Sequence, residues 1–254
     1  MGYQPSQPFE YPSFVMKLAI MQPYLFPYLG YFQLIAAVDK FVIYDDVAFI
    51  KQGWVNRNHI LLQGKPHLFT VPLQGASSNK TIRDTLVSVH EYPRWKDKFL
   101  KTIALAYAKA PHYEVTRALL SRVIEADPGS IGELARRAIR EVCHTLGLTT
   151  QIEPSSTVYE NGHLHAQERV LDICVRERAT LYINAPGGRD LYASEAFAAR
   201  GIELRFLGSR LAAYPQFKHE FVPALSIIDG LMFNSPQQVN MLLKQCDFVS
   251  KGLS

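Results

Sequence analysis

Two adjacent carboxylates, Asp45 and Asp46, follow the apolar run Lys40–Tyr44. A strand ending there would present them at its carboxyl edge, where open parallel sheets bind ligands. Side chains alternate along a strand, so the two should point to opposite faces and not form a matched acid/base pair. One is a candidate for a ligand ammonium group or Mg²⁺ and the other for capping the next turn, with two solvated turn formers as an equal alternative. Just downstream, "QGWVNRN" (52–58) gathers Trp54, Asn56, Arg57 and Asn58. Trp54 offers a stacking face, Arg57 a fork for phosphate or carboxylate, and the asparagines paired donors and acceptors. A second cluster, "NAPGGRD" (184–190), holds Asn184, Gly187, Gly188 and Arg189. Consecutive glycines can turn several N–H groups toward one anion that Arg189 neutralises, although Gly-Gly is also a common turn. Ser155 and Ser156 suit a sugar hydroxyl or phosphate, and equally a cap.

The stretch "QPYLFPYLGY" (22–31) raises a separate question, because prolines, tyrosines and a glycine interrupt an otherwise apolar region. Prolines fix a loop's path and so lower the entropy lost when a ligand arrives. Gln22, Tyr24, Tyr28, Gly30 and Tyr31 are therefore candidate binding residues, with Gly30 allowing close backbone approach at a helix start. The alternative is a surface loop packed by its own rings.

These segments need elements to position them. "KLAIMQ" and "KFVIYDD" read as strands covered on both faces, and "GYFQLIAAVD" between them as a helix with Tyr31, Leu34, Ile35 and Val38 on one stripe. That is a βαβ unit with parallel strands. "HILLQGKPHLFTVPL" predicts a hairpin around "QGK", and residues 92–147 predict an inserted helical subdomain whose clearest helix runs from Ser130 to Gly147. The pattern resumes with a strand and loop at "TQIEPSSTV" and a helix at "HAQERVLDICVRER". The strand "TLYIN", the helix "LYASEAFAAR", the strand "IELRFL" and a last helix near "LSIIDGLMF" follow. The expected fold is α/β, with a mostly parallel, doubly wound, Rossmann-like sheet. Its division is a first half over 16–91, the helical insertion over 92–147 and a second half over 148–254, with 1–15 as a disordered extension and 16–254 as one compact unit. The loops after "KLAIM" and "TLYIN" should flank one crevice, where the strand order reverses.

Composition bounds the function classes. The net charge of +4 spreads over 27 Lys and Arg that form no single run, so nucleic acid is not an expected partner, aminoacyl-tRNA excepted. No membrane span is expected and the expected location is cytoplasmic. Cys143, Cys174 and Cys246 lie far apart and read as reduced thiols. His163 and His165 lack the partners of a ligand set, so no metal-ligating residues are assigned.

The order strand, bulky loop, "YLGYFQLI" resembles the HxGH-containing loop of nucleotidylyltransferases and adenylate-forming ligases, with Tyr28 and Tyr31 where those enzymes carry the histidines that hold ATP phosphates. The chain as a whole is more closely similar to the WbqC-like family, through "MQPYLFPYLGYFQLIAAVDKFVIYDDVAFIKQGWVNRN", "YINAPGGRDLY" and "FVPALSIIDGLMFN", from about Met16 to Asn234. That resemblance implies a role in bacterial surface polysaccharide (O-antigen) gene clusters and a suggested glycine transfer. It leads to a transferase or ligase that acylates a nucleotide-linked amino sugar from a small acyl donor. Asp45, Asp46, Arg57 and Arg189 would be its catalytic residues and ATP and Mg²⁺ its cofactors, unless aminoacyl-tRNA is the donor. The alternatives are a nucleotide-sugar hydrolase or lyase and a non-catalytic sugar-nucleotide binding protein.

Overall fold

The structure, a computed structural model, describes residues 15–218 and 220–250. The expected disordered extension falls outside them apart from Val15. Strand β1 (Lys17–Met21), helix α1 (Leu29–Ala36) and strand β2 (Lys40–Ile43) form the opening βαβ unit. A hairpin, β3 (Arg57–Leu62) and β4 (Lys65–Thr70), follows. Both residues of its turn, Gln63 and Gly64, have positive φ, the backbone that matches strand twist. A two-residue pair, β5 (Leu73–Gln74) and β6 (Leu86–Val87), precedes helices α2 (Tyr92–Tyr107), α3 (Tyr113–Ile124) and α4 (Ile131–Leu146). The chain then forms β7 (Gln151–Glu153), α5 (Ala166–Arg176), β8 (Leu181–Asn184), α6 (Ser194–Ala198), β9 (Glu203–Ser209), α7 (Ile227–Phe233), α8 (Pro236–Leu243) and β10 (Cys246–Val249).

Six strands make the central sheet in the order β10-β9-β8-β1-β2-β7, and β10 alone is antiparallel to its neighbour. Counted along the chain, this is the Rossmann order, with its reversal between β1 and β8. The register puts Leu18 of β1 beside both Lys40 of β2 and Tyr182 of β8. Alternation then sorts the core into two layers. Leu18, Ile20, Val42, Tyr182 and Phe206 pack toward α5 and α6, while Ala19, Phe41, Ile43, Ile183 and Leu207 pack toward the other helices. Burying each such aliphatic or phenyl side chain contributes about 1.5–3 kcal/mol.

Helix α1 departs from the expected single stripe, because every residue from Leu29 to Ile35 is buried. A helix enclosed on all sides must satisfy any polar side chain internally. Gln33 does so, donating to the carbonyls of Leu242 and Gln245 at 3.0 Å each and accepting from Ser209 Oγ at 2.6 Å. It thereby ties α1 to the ends of β9 and α8. Helices α2–α4 do not carry a core of their own: Ile103, Leu120 and Ile139 belong to the same buried cluster as Phe32 and Phe41. Among the described residues no helix is long and apolar enough to cross a membrane.

Candidate functional site

The loop after β1 is held from two sides. Leu25 N–H donates to Val55 O at 3.0 Å, and the carbonyl of Phe26 accepts from Asn58 Nδ2 at 2.7 Å and Ser226 Oγ at 2.8 Å. Phe26 has φ of 45°, a left-handed conformation costly for a large side chain, and these bonds hold it there. Asn58 is buried in this role, and Asn56 Nδ2 donates to Val71 O at 2.9 Å, so both act as structural staples. Asn58→Ala should lower stability by about 1–3 kcal/mol by leaving buried carbonyls short of a partner, measured by urea denaturation.

Tyr31 is not at the surface. Its ring is buried against Tyr24, Phe32 and Phe41, and its hydroxyl donates to Gln22 O at 3.2 Å. Burial raises the pKa of both Tyr24 and Tyr31, so they remain neutral phenols. Tyr28 is half-buried, and its ring lies where a Cβ on Gly30 would stand, 2.5 Å from Cε2. The close approach that Gly30 permits is therefore taken by the protein's own tyrosine. The two positions matched to paired histidines are thus unlike each other, one a core residue and the other a cover over the helix start.

At the ends of β2 and β7 the carboxylates and serines, expected to bind separately, meet each other. Ser155 Oγ donates to Asp45 Oδ1 at 2.7 Å, as does Ser156 N–H at 3.3 Å. Ser156 Oγ donates to Asp46 Oδ1. Consecutive serines at the end of one strand thus serve consecutive aspartates of the next. Asp46 also accepts from Arg169 Nη2 at 2.5 Å. Arg169, on α5, stacks over Tyr44 with its guanidinium carbon 4.9 Å from the ring centre and donates from Nε to Asn161 Oδ1 at 2.9 Å. Asp45 and Asp46 lie beyond the end of β2 at Ile43 and both meet Ser156, through its N–H and its hydroxyl, and of the two Asp46 pairs with Arg169 of α5.

The two aspartates differ in electrostatics. Asp46 is neutralised by Arg169. Asp45 is buried, has no cation at ion-pair distance among the described residues, and its Oδ2 has no hydrogen-bond partner among them. Desolvation raises its pKa, offset in part by the Ser155 hydrogen bond and by Arg83. Among the described residues no group of three or more His, Cys, Asp or Glu side chains could hold a metal. A Mg²⁺ ion here would arrive coordinated by ligand phosphates. Burial also raises the thiols, Cys143 to about 12, which makes them poor nucleophiles.

After β8, residues Pro186–Leu191 form a 3₁₀ turn. Asn184 Oδ1 accepts from Ala185 N–H at 2.7 Å, and its Nδ2 lies 2.5 Å from where a Gly188 Cβ would stand. Gly188→Ala should therefore displace Asn184 and cost about 1–3 kcal/mol, read from a thermal melt. Arg189 has its guanidinium carbon 5.9 Å from the centre of the Phe206 ring, and its Nε is buried without a hydrogen-bond partner among the described residues. Tyr182 and Tyr192 meet edge to face at 5.9 Å. Arg57 stands apart. Its Nε donates to Gly53 O at 2.9 Å and its guanidinium carbon lies 5.6 Å from the ring centre of Trp54, which is itself half exposed.

Arg169, Asn161 and Tyr44 were not singled out from sequence. Such partners, 123 residues apart in the case of Asp46 and Arg169, leave no local spacing to read. A model of the WbqC-like protein family matches residues 22–241. The chain belongs to the WbqC-like family. An uncharacterized protein of Mycobacterium tuberculosis (strain ATCC 25618 / H37Rv), Rv1507c, is 31% identical over 233 residues, covering 91% of this chain and 98% of that protein. No solved structure matches at a significant level.

Proposed function

We propose that this WbqC-like protein is an acyltransferase that joins a small amino acid, glycine in the simplest case, to the amine of a nucleotide-linked sugar destined for O-antigen-type surface polysaccharide. The observation that carries the reading is that the loops after β2 and β8, at the carboxyl edge of a Rossmann-ordered sheet, carry two side chains of opposite charge with hydrogen-bonding capacity left over. These are Asp45, with one unbonded oxygen, and Arg189, with a buried unpartnered Nε. Arg189 and the turned backbone at Gly187 and Gly188 suit the diphosphate, Trp54 the base, and Asp45 the amine. The sugar nitrogen attacks the acyl carbon, and the carbon–oxygen bond to the leaving group breaks. That group, AMP or the ribose oxygen of tRNA, departs with the electron pair, and the ammonium proton passes to Asp45. A raised carboxyl pKa suits a base that must accept a proton near neutrality. ATP with Mg²⁺ would serve only to form an acyl adenylate.

The test is a paired incubation with a uridine-diphosphate amino sugar, one arm with glycine, ATP and Mg²⁺ and the other with glycyl-tRNA alone. The reading expects a mass gain of one glycyl unit on the sugar in at least one arm. Hydrolysed sugar nucleotide, or binding with no covalent change, contradicts it. Trp54→Ala should weaken nucleotide binding by about 1–3 kcal/mol in a calorimetric titration, with no change in melting temperature because the ring is half exposed.

A further inference from the structure

Strand β4 pairs with β3 alone, in a two-stranded sheet. Among the described residues, its backbone from Lys65 to Thr70 makes no hydrogen bond outside that ladder. Beside it runs a groove of about 130 Å³, lined by His67, Leu68, Phe69 and Thr70 of β4 and by Trp95, Lys98, Phe99 and Thr102 of α2. Successive strand side chains point to opposite faces, so a groove touched by four consecutive residues follows the strand's edge. The α2 residues are spaced three and four apart and form one stripe of that helix. Phe69 and Phe99, 5.0 Å between ring centres, and the Trp95–Phe99 stack at 5.1 Å make an aromatic floor. The rim is cationic. Lys98 lines the groove and Lys65 is exposed at the near end of β4, and α2 as a whole carries Arg94, Lys96, Lys98 and Lys101 against the single acid Asp97.

We propose that this groove receives an extended acidic peptide, which adds a third strand to β4 and lays its alternate side chains between β4 and α2. An unpaired edge beside a helix is the geometry of peptide capture by strand addition. The free ladder selects polypeptide over nucleic acid, because a backbone of alternating N–H and C=O is what complements it. The rim selects acidic over basic sequence. Lys65 at the end of the same edge disfavours pairing with a second copy, since an edge lysine meets its own charge, whereas an acidic strand complements it. The proposal does not depend on the acyl-transfer reading, because the groove is built from the hairpin and α2.

The test uses the full chain with an N-acetylated, C-amidated peptide of three Glu-Val repeats, its Lys-Val counterpart and a single-stranded RNA of equal length. Anisotropy measures binding and amide exchange gives its location. The acidic peptide is expected to bind saturably and slow exchange at the β4 amides that face away from β3, and the basic peptide not to bind. Lys98→Glu, on the exposed face of α2, should weaken binding about fivefold, the scale of a rim charge. Thr102→Trp, which fills the groove, should abolish protection while circular dichroism stays native. Binding of RNA without the acidic peptide, no binding of the acidic peptide, or protection elsewhere overturns the proposal.

Discussion

Asp45→Asn is expected to slow acyl transfer roughly 10²–10⁴-fold, the usual contribution of a positioned general base. Asparagine retains an oxygen to accept from Ser155 and Ser156 but cannot take the amine's proton. The same change should not weaken the fold at neutral pH. Desolvation raises the folded pKa of Asp45 above its unfolded value, so the folded state favours the protonated acid. Below the ordinary carboxylate range both states are protonated and nothing is lost. As pH rises through the interval from the ordinary to the raised value, ionisation costs the folded state more than the unfolded one. The wild type should therefore lose stability relative to Asp45→Asn across that window, which paired urea melts at stepped pH would show. A variant that loses activity and also melts earlier at neutral pH would make Asp45 a structural residue.

Arg169→Met is expected to destabilise by about 3–5 kcal/mol, because it leaves the Asp46 carboxylate buried without its cation. Side-chain exposure of 6% for Arg169 and 14% for Asp46 limits the solvent that would screen an open pair. Methionine keeps much of the volume over Tyr44 but donates nothing to Asp46 or Asn161. Asp46→Asn in the same chain removes the stranded charge, so the double variant should recover about half of the loss. Chemical denaturation of the four proteins measures the coupling directly. A loss under about 1 kcal/mol for Arg169→Met would place the pair among solvated surface bridges.

The central strands were legible because parallel strands buried on both faces read as near-continuous apolar runs, as at "KLAIM", "KFVI" and "LYIN". Strand β10 was missed because Cys246–Val249 lies at the edge with its two central residues exposed, and so shows no such run. Helix α8 had a readable start, since Ser235 and Gln238 form a capping box with Pro236 between them. Within the site, the loops and their position followed from pattern, whereas their partners did not. Ser155 and Ser156 were read as ligand contacts or caps; Ser155 caps the turn at Ser156–Tyr159, and the two serines also bond Asp45 and Asp46. Asn58 was read the same way and holds Phe26. In each case the polar residue satisfies a group brought near only by sheet assembly, which no local spacing encodes.

The most direct test of the account is a crystal structure of the protein with a uridine-diphosphate amino sugar bound. The account predicts the diphosphate against Gly187, Gly188 and Arg189, the base on Trp54, and the amine within hydrogen-bonding distance of Asp45 Oδ2. A sugar nucleotide seated away from the edge between β1 and β8, or with its amine turned away from Asp45, would contradict it.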